Sequence, residues 1–251
     1  MSVVQVDRVV KRYRLGEQDV VALKRVSLDI EEGVFMAIAG PSGSGKSSLL
    51  NLIGCIDEPS EGRILIDGQD VAGHTPDELA DLRSRTIGFI FQTFNLLPVL
   101  TAAENVEYPM LRRADIDAAE RSKRVKHYLE VVGLAQYANR RPNQLSGGQR
   151  QRVAIARALA IHPRIVLADE PTANLDRKTG DEILQLMRAI NKQTGTTFIF
   201  STHDKRVMAM SNRLVRIEDG EITILGIRNS SGWTYVNERR RNRGTAGEVQ
   251  Q

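Results

Sequence analysis

Three glycines, a lysine and a terminal hydroxyl fall within eight residues in Gly40-Pro41-Ser42-Gly43-Ser44-Gly45-Lys46-Ser47. This is the pattern of a phosphate-binding loop. The glycines let successive backbone N–H groups face one anion, and the start of a following helix adds partial positive charge. Lys46 can then reach the β- and γ-phosphates of a nucleotide, and Ser47 offers its hydroxyl to Mg²⁺. A second group of chemistry-bearing residues closes the run Arg164-Ile165-Val166-Leu167-Ala168-Asp169-Glu170-Pro171. Carboxylates at the tip of an apolar strand are costly without a partner, and a metal–phosphate cluster supplies one. Asp169 is placed to hold Mg²⁺ through its water shell, and Glu170 to polarise an attacking water. Taken alone, the two acids also fit a solvated strand end. A third group, Leu145-Ser146-Gly147-Gly148-Gln149, opens a strong Ala/Arg-rich helix. Ser146 and Gln149 make a capping box there, and the glycine pair leaves the helix start bare for a second anion.

These residues need a scaffold that brings distant segments together. Val34-Phe35-Met36-Ala37-Ile38-Ala39 runs apolar without alternation into the glycine-rich loop, as a strand buried on both faces does. Ile165-Val166-Leu167-Ala168 and Thr197-Phe198-Ile199-Phe200 repeat that pattern, so a central parallel sheet is expected. Ligands of open α/β sheets lie beyond the C-terminal ends of the strands, so the residues after these runs should converge. Val3 to Val10 and the alternating Val26 to Ile30 read as opening strands of antiparallel type. A helix-rich stretch from about residue 93 to 160 reads as an inserted subdomain, and capping boxes at Thr75/Glu78 and Thr101/Glu104 mark helix starts before and within it. Arg213 to Ile217, the turn Asp219-Gly220 and Ile222 to Ile224 read as a closing hairpin, placing the end of the folded domain near Leu225.

Composition narrows the class further. With 251 residues, 41% of them hydrophobic and 26% charged, the chain can bury a real core, which excludes disorder throughout. A lone cysteine, Cys55, excludes an internal disulfide framework and fits a reducing compartment. No apolar run reaches the roughly 18 residues that cross a bilayer, and the N-terminus lacks a signal-peptide layout. The net charge is +4. Most of that excess lies after residue 225, where Arg228, Arg239, Arg240, Arg241 and Arg243 face Glu238 and Glu248. The segment 226–251 therefore reads as a basic, polar, mobile tail. A sharper alternative sets Arg239 to Arg243 against anionic lipid.

The phosphate loop, the Leu-Ser-Gly-Gly-Gln signature and the acid pair, in that order, resemble the ATP-binding cassette (ABC) ATPases over about residues 1–225. The resemblance implies an α/β P-loop NTPase. Its RecA-like core would hold a mostly parallel sheet, with an N-terminal antiparallel β subdomain and an inserted α-helical subdomain. It implies ATP and Mg²⁺ as cofactors, and ATP hydrolysis as the reaction. Gly40, Pro41, Ser42, Gly43, Ser44, Gly45, Lys46 and Ser47 would bind the phosphates, and Tyr13 resembles the aromatic that stacks on adenine. Gln92 after Ile90-Phe91 resembles the loop glutamine that senses metal and water, joining Ser47 and Asp169 around Mg²⁺. His203 in Ser201-Thr202-His203-Asp204 resembles the switch histidine, so Glu170, His203, Gln92 and Lys46 form the implied catalytic set. Singly, Tyr13, Gln92 and His203 also fit a surface aromatic, a loop amide and a helix cap.

In this family two cassettes sandwich two ATP molecules. Ser146, Gly147, Gly148 and Gln149, with Asp176 in Ala173-Asn174-Leu175-Asp176, would thus act on the nucleotide of a second ATPase subunit, most simply a second copy. The short interval from Gln92 to Ser146 leaves no room for a long coiled-coil insertion, and only one cassette is present. A transporter motor is therefore expected over a non-transport ABC ATPase of regulatory, division or repair type, with an integral membrane permease as partner and no nucleic acid. Such a subunit is cytoplasmic and peripheral on the cytoplasmic face of the cell membrane. Gln92 to Pro98 is expected to expose apolar residues, Phe94 among them, to the permease. Leu52 to Asp57, Ile87 to Gln92 and Glu104-Asn105-Val106 are similar to the lipoprotein-release and macrolide-exporter (LolD/MacB-type) branch, whose members work with FtsX-like permeases. Ser47 for Thr, Ala173 for Gly and the long tail depart from that pattern.

Overall fold

The computed structural model describes residues 1–16 and 18–237. The chain opens with two long antiparallel strands, β1 (Ser2–Leu15) and β2 (Gln18–Glu31), which take in both expected N-terminal runs. The buried strand β3 (Phe35–Ala39) leads through the glycine-rich loop into α1 (Lys46–Ile53). Next come β4 (Glu61–Ile66), β5 (Gln69–Asp70), α2 (Pro76–Thr86) and β6 (Ile87–Ile90). Three helices follow, α3 (Ala102–Glu107), α4 (Ala118–Val131) and α5 (Gly147–Leu159). The remainder runs β7 (Ile165–Asp169), α6 (Arg177–Thr194), β8 (Thr197–Thr202), α7 (Lys205–Met210), β9 (Arg213–Glu218), β10 (Glu221–Asn229) and β11 (Gly232–Asn237).

Two sheets result. One is antiparallel in the order β2-β1-β4-β5, and the other has seven strands in the order β11-β10-β9-β3-β8-β7-β6. Its segment from β9 to β6 is parallel throughout, while β10 and β11 are added antiparallel. The expected α/β class, with a separate antiparallel unit and a largely parallel core, is what the chain adopts.

The apolar runs of the parallel strands hide a regular alternation of faces. Met36, Ile38, Leu167 and Ile199 pack with α1 and the antiparallel sheet, whereas Phe35, Ala37, Val166, Ala168, Phe198 and Phe200 pack with α5 and α6. Both faces are apolar because both are covered. The Phe35 ring lies 4.5 Å from Phe200 and 5.8 Å from Phe198, so the second core has an aromatic centre. Each such buried ring contributes about 1.5–3 kcal/mol of burial. Before β7, Arg164 ties the two sheets together by donating to Glu32 (2.8 Å) and to Asp67.

The C-terminal boundary expected from sequence is corrected. The hairpin forms at Asp219-Gly220, but β10 runs on past Leu225 to Asn229, and β11 pairs back along it, Leu225 opposite Val236. Residues 226–237 thus form paired strands and their turn rather than a tail. Polar, half-exposed strands of this kind are held by backbone ladders and by the stacked Trp233 and Tyr235 rings, 5.8 Å apart, which composition does not reveal. The basic residues Arg239, Arg240, Arg241 and Arg243 lie outside the described residues.

Candidate nucleotide site

Strand register determines where the chemistry gathers. Ala39 at the end of β3 pairs with Thr202, Ser201 pairs with Asp169, and Ala168 pairs with Ile90. The phosphate loop, Glu170, His203 and the Gln92 segment therefore leave one sheet edge side by side, as the strand-end rule requires.

At the first position the loop turns into α1 through Gly45, whose φ is +104°. A Cβ there would lie 2.5 Å from the Ala22 carbonyl oxygen, so only glycine fits. No side chain caps α1, leaving its first N–H groups for an anion. The buried Lys46 ammonium donates to the Gly40 (2.9 Å) and Pro41 (2.8 Å) carbonyls and is paired with no carboxylate among the described residues. The Ser44 hydroxyl is buried without a partner. An uncapped helix start, a cation held only by carbonyls and an orphaned hydroxyl together fit a polyphosphate.

At the neighbouring strand ends, Glu170 has φ +45° and its N–H donates to the Ser201 carbonyl (2.9 Å). Its carboxylate lies 2.6 Å from Nδ1 of His203 and accepts from Thr202 Oγ1 (3.3 Å). Glu170 is largely covered, its side chain 16% exposed, while His203 is 76% exposed. Behind them, Asp204 accepts from Thr172 (3.0 Å) and Arg206 (2.6 Å), and Arg206 also reaches Asp181 on α6 (3.1 Å). Burial alone would raise the Asp204 carboxyl, but the Arg206 and Thr172 hydrogen bonds outweigh it and hold it below the ordinary range. A cavity of about 340 Å³ opens between Glu170, Ala173, Leu175, His203 and Arg206. The Gln92 carbonyl accepts from Asn174 Nδ2 (2.9 Å), tying that loop to the Ala173–Asp176 segment.

The signature residues start α5. Ser146 Oγ accepts from the Gln149 N–H (3.2 Å) and Gln149 Oε1 accepts from the Ser146 N–H (2.8 Å), the expected capping box. The glycine pair has two explanations rather than one. A Cβ on Gly148 would lie 2.5 Å from Thr179 Cγ2, so a side chain there would force Thr179 of α6 to shift, whereas Gly147 meets nothing closer than 3.6 Å. Asp176 caps α6, its side chain accepting from the Thr179 N–H (3.0 Å). No hydrogen bond joins the signature to the phosphate loop among the described residues.

One expectation about a single residue changes. Phe94 is only 9% exposed: its ring faces inward, with the Arg150 guanidinium 5.2 Å over it. Arg157 donates to the Phe94 (2.8 Å) and Asn95 (2.5 Å) carbonyls, holding two successive residues at φ +64° and +46°. The apolar side chains exposed nearby are Val99, Tyr108 and Leu111, at the two ends of α3. Tyr13 sits half-buried near the end of β1, its phenol donating to Asp57 (2.9 Å). Thr202, Asn174, Arg157 and the Asp204–Arg206 pair were not singled out from the sequence, because the groups they meet, Glu170, Gln92, Phe94, Thr172 and Asp181, are far along the chain.

A family profile described as ABC transporter matches residues 23–173. The chain belongs to the ABC transporter family. As an ABC ATP-binding subunit it binds ATP and hydrolyses it. It is 49% identical over 222 residues to an uncharacterized ABC transporter ATP-binding protein of Methanocaldococcus jannaschii, MJ0796, covering 87% of this chain and 94% of that one. The MJ0796 cassette dimer, solved in a post-hydrolysis state bound to ADP and Pi, matches with a TM-score of 0.83 and 47% identity over 90% of this chain and 99% of that one. The macrolide export ATP-binding/permease protein MacB of Brucella melitensis biotype 1 is 48% identical over 87% of this ABC subunit, which spans only 34% of that longer protein. No helix among the described residues is long and apolar enough to cross a membrane.

Proposed function

We propose that this ABC subunit is the motor of a transporter of the macrolide-exporter and lipoprotein-release type, acting as a pair of chains that drives an FtsX-like permease. The observation that carries this reading is the arrival of Lys46, Asp169, Glu170, His203 and Gln92 at one sheet edge while Ser146 to Gln149 stand apart from it. The loop 40–47 receives the phosphates of ATP, with Lys46 neutralising charge on the β- and γ-groups. Ser47, Asp169 and Gln92 would hold Mg²⁺, which when bound would offset the negative charge of the phosphates. Glu170 takes a proton from water as its oxygen bonds to the γ-phosphorus and the bond to the bridging oxygen breaks, leaving ADP and phosphate. His203, engaged by Glu170 in this structure, would turn to donate to the γ-phosphate.

The bare start of α5 in a second chain, with Ser146, Gly147, Gly148, Gln149 and Asp176, completes the cage around each ATP. In this reading the permease would be met through the exposed Val99, Tyr108 and Leu111, with the subunit on the cytoplasmic face of the membrane. Contact of Arg239 to Arg243 with anionic lipid belongs to the same reading and would add salt-sensitive attachment. Glu170→Gln should lower turnover by about 10²–10⁴-fold, the usual worth of a general base, while ATP affinity is retained. Steady-state ATPase assays with nucleotide titrations check this, and wild-type turnover in the variant would remove Glu170 from its role.

A further inference from the structure

Lys11, Tyr13 and Asp57 form a compact cluster that the proposed chemistry leaves unused. The buried Lys11 ammonium donates to Asp57 Oδ1 (2.5 Å) and to the Glu58 carbonyl (2.8 Å). The other carboxylate oxygen, Oδ2, accepts the Tyr13 phenol at 2.9 Å. Lys11 Nζ also stands 4.9 Å over the Tyr13 ring. Asp57 is itself fixed, accepting the Glu58 N–H (2.8 Å) and donating its own N–H to the Asn51 carbonyl of α1 (3.3 Å).

Three restraints thus act on one ring. The phenol oxygen is pinned by Asp57, one face is covered by a cation, and the strand carrying the ring is joined to the helix that begins at the phosphate loop. A base can stack only on the face that Lys11 does not cover. A buried ion pair is costly to assemble, and removing one partner strands the other charge, so Lys11 and Asp57 hold each other in place. Pre-setting the orientation of a stacking ring cuts the ordering cost that binding would otherwise meet.

We propose that Asp57, with Lys11, is a positioning residue for the nucleotide base: it locks the Tyr13 ring in one orientation relative to α1, so that stacking face and phosphate loop form one rigid site. This rests on the reading of Tyr13 as the adenine-stacking residue. Tyr13→Phe keeps the ring and removes only the anchored oxygen, Asp57→Asn weakens the anchor, and Tyr13→Ala removes the platform. For each, KM and kcat for ATP are measured together with competition by inorganic tripolyphosphate, which has phosphates but no base. Tyr13→Phe and Asp57→Asn should raise the KM for ATP by about 3–10-fold with kcat unchanged, as expected for loss of uniform binding. Tyr13→Ala should raise it by more than about tenfold, in line with the usual worth of base stacking, and tripolyphosphate should compete equally in all. ATP binding by Tyr13→Phe and Asp57→Asn at wild-type strength would overturn the anchor, as would equal loss of tripolyphosphate, which marks a merely structural cluster. If Tyr13→Ala binds ATP like the wild type, the stacking reading itself falls and the proposal with it.

Discussion

Acidic side chains near the strand ends are met by different donors, as Glu170 and Asp204 illustrate. Glu170 is met by a histidine and a threonine hydroxyl, both of which a phosphate could recruit instead. Asp204 is met by Arg206 and Thr172 and serves as the strut behind the site. Because the folded-state pKa of Asp204 lies below its unfolded value, its stabilising effect is complete above about pH 4, the ordinary aspartate range, and fades as pH falls through the lowered pKa. Thermal melts of the wild type and Asp204→Asn should therefore differ by a constant Tm gap from pH 7 to about pH 5, which narrows at lower pH. A gap that stays constant or widens on acidification would show that the carboxylate is not held this way. The residues of this site that stand in contiguous motifs were legible from sequence, since backbone chemistry ties glycines, lysine and hydroxyl to one loop. The strut was not, because Asp181 and Thr172 reach it from another element.

At the level of elements, α5 joins two parts of the site. Its first turn carries the signature, and further along Arg150 and Arg157 grip the segment just after Gln92. That grip turns Phe94 inward, so truncating it removes packing rather than a docking contact. Phe94→Ala should cost about 3 kcal/mol or more, as large-to-small aromatic substitutions do. Basal and permease-stimulated ATPase rates should then fall together, and loss of the stimulated rate alone, with an unchanged Tm, would restore Phe94 to the surface role. The apolar pattern of this loop could not distinguish the two cases, since orientation depends on arginines about sixty residues later in the chain. The parallel strands were legible because burial on both faces leaves unbroken apolar runs. β11 was not, because an edge strand with half-exposed faces carries little hydrophobic signal.

For the whole molecule, the arrangement is incomplete in a single chain: the phosphate loop and the signature helix each offer free N–H groups to an anion, yet no hydrogen bond links them among the described residues. Two chains facing each other in opposite orientation satisfy both at once, an isologous arrangement that closes on itself. On the proposed reading ATP would act as the adhesive, binding the closed pair better than the separated chains and so stabilising it by linkage. Hydrolysis would remove that preference and let the pair open, the motion that the proposed permease partner would use. The decisive measurement is the mass in solution, by light scattering, of Glu170→Gln with saturating Mg²⁺-ATP, alone and with Ser146→Arg added. Twice the chain mass of 27.9 kDa is expected for Glu170→Gln, falling back to a single chain when Ser146→Arg is also present. A single-chain mass with ATP bound, or a dimer that Ser146→Arg leaves intact, would contradict an ATP shared between the phosphate loop of one chain and the signature of another.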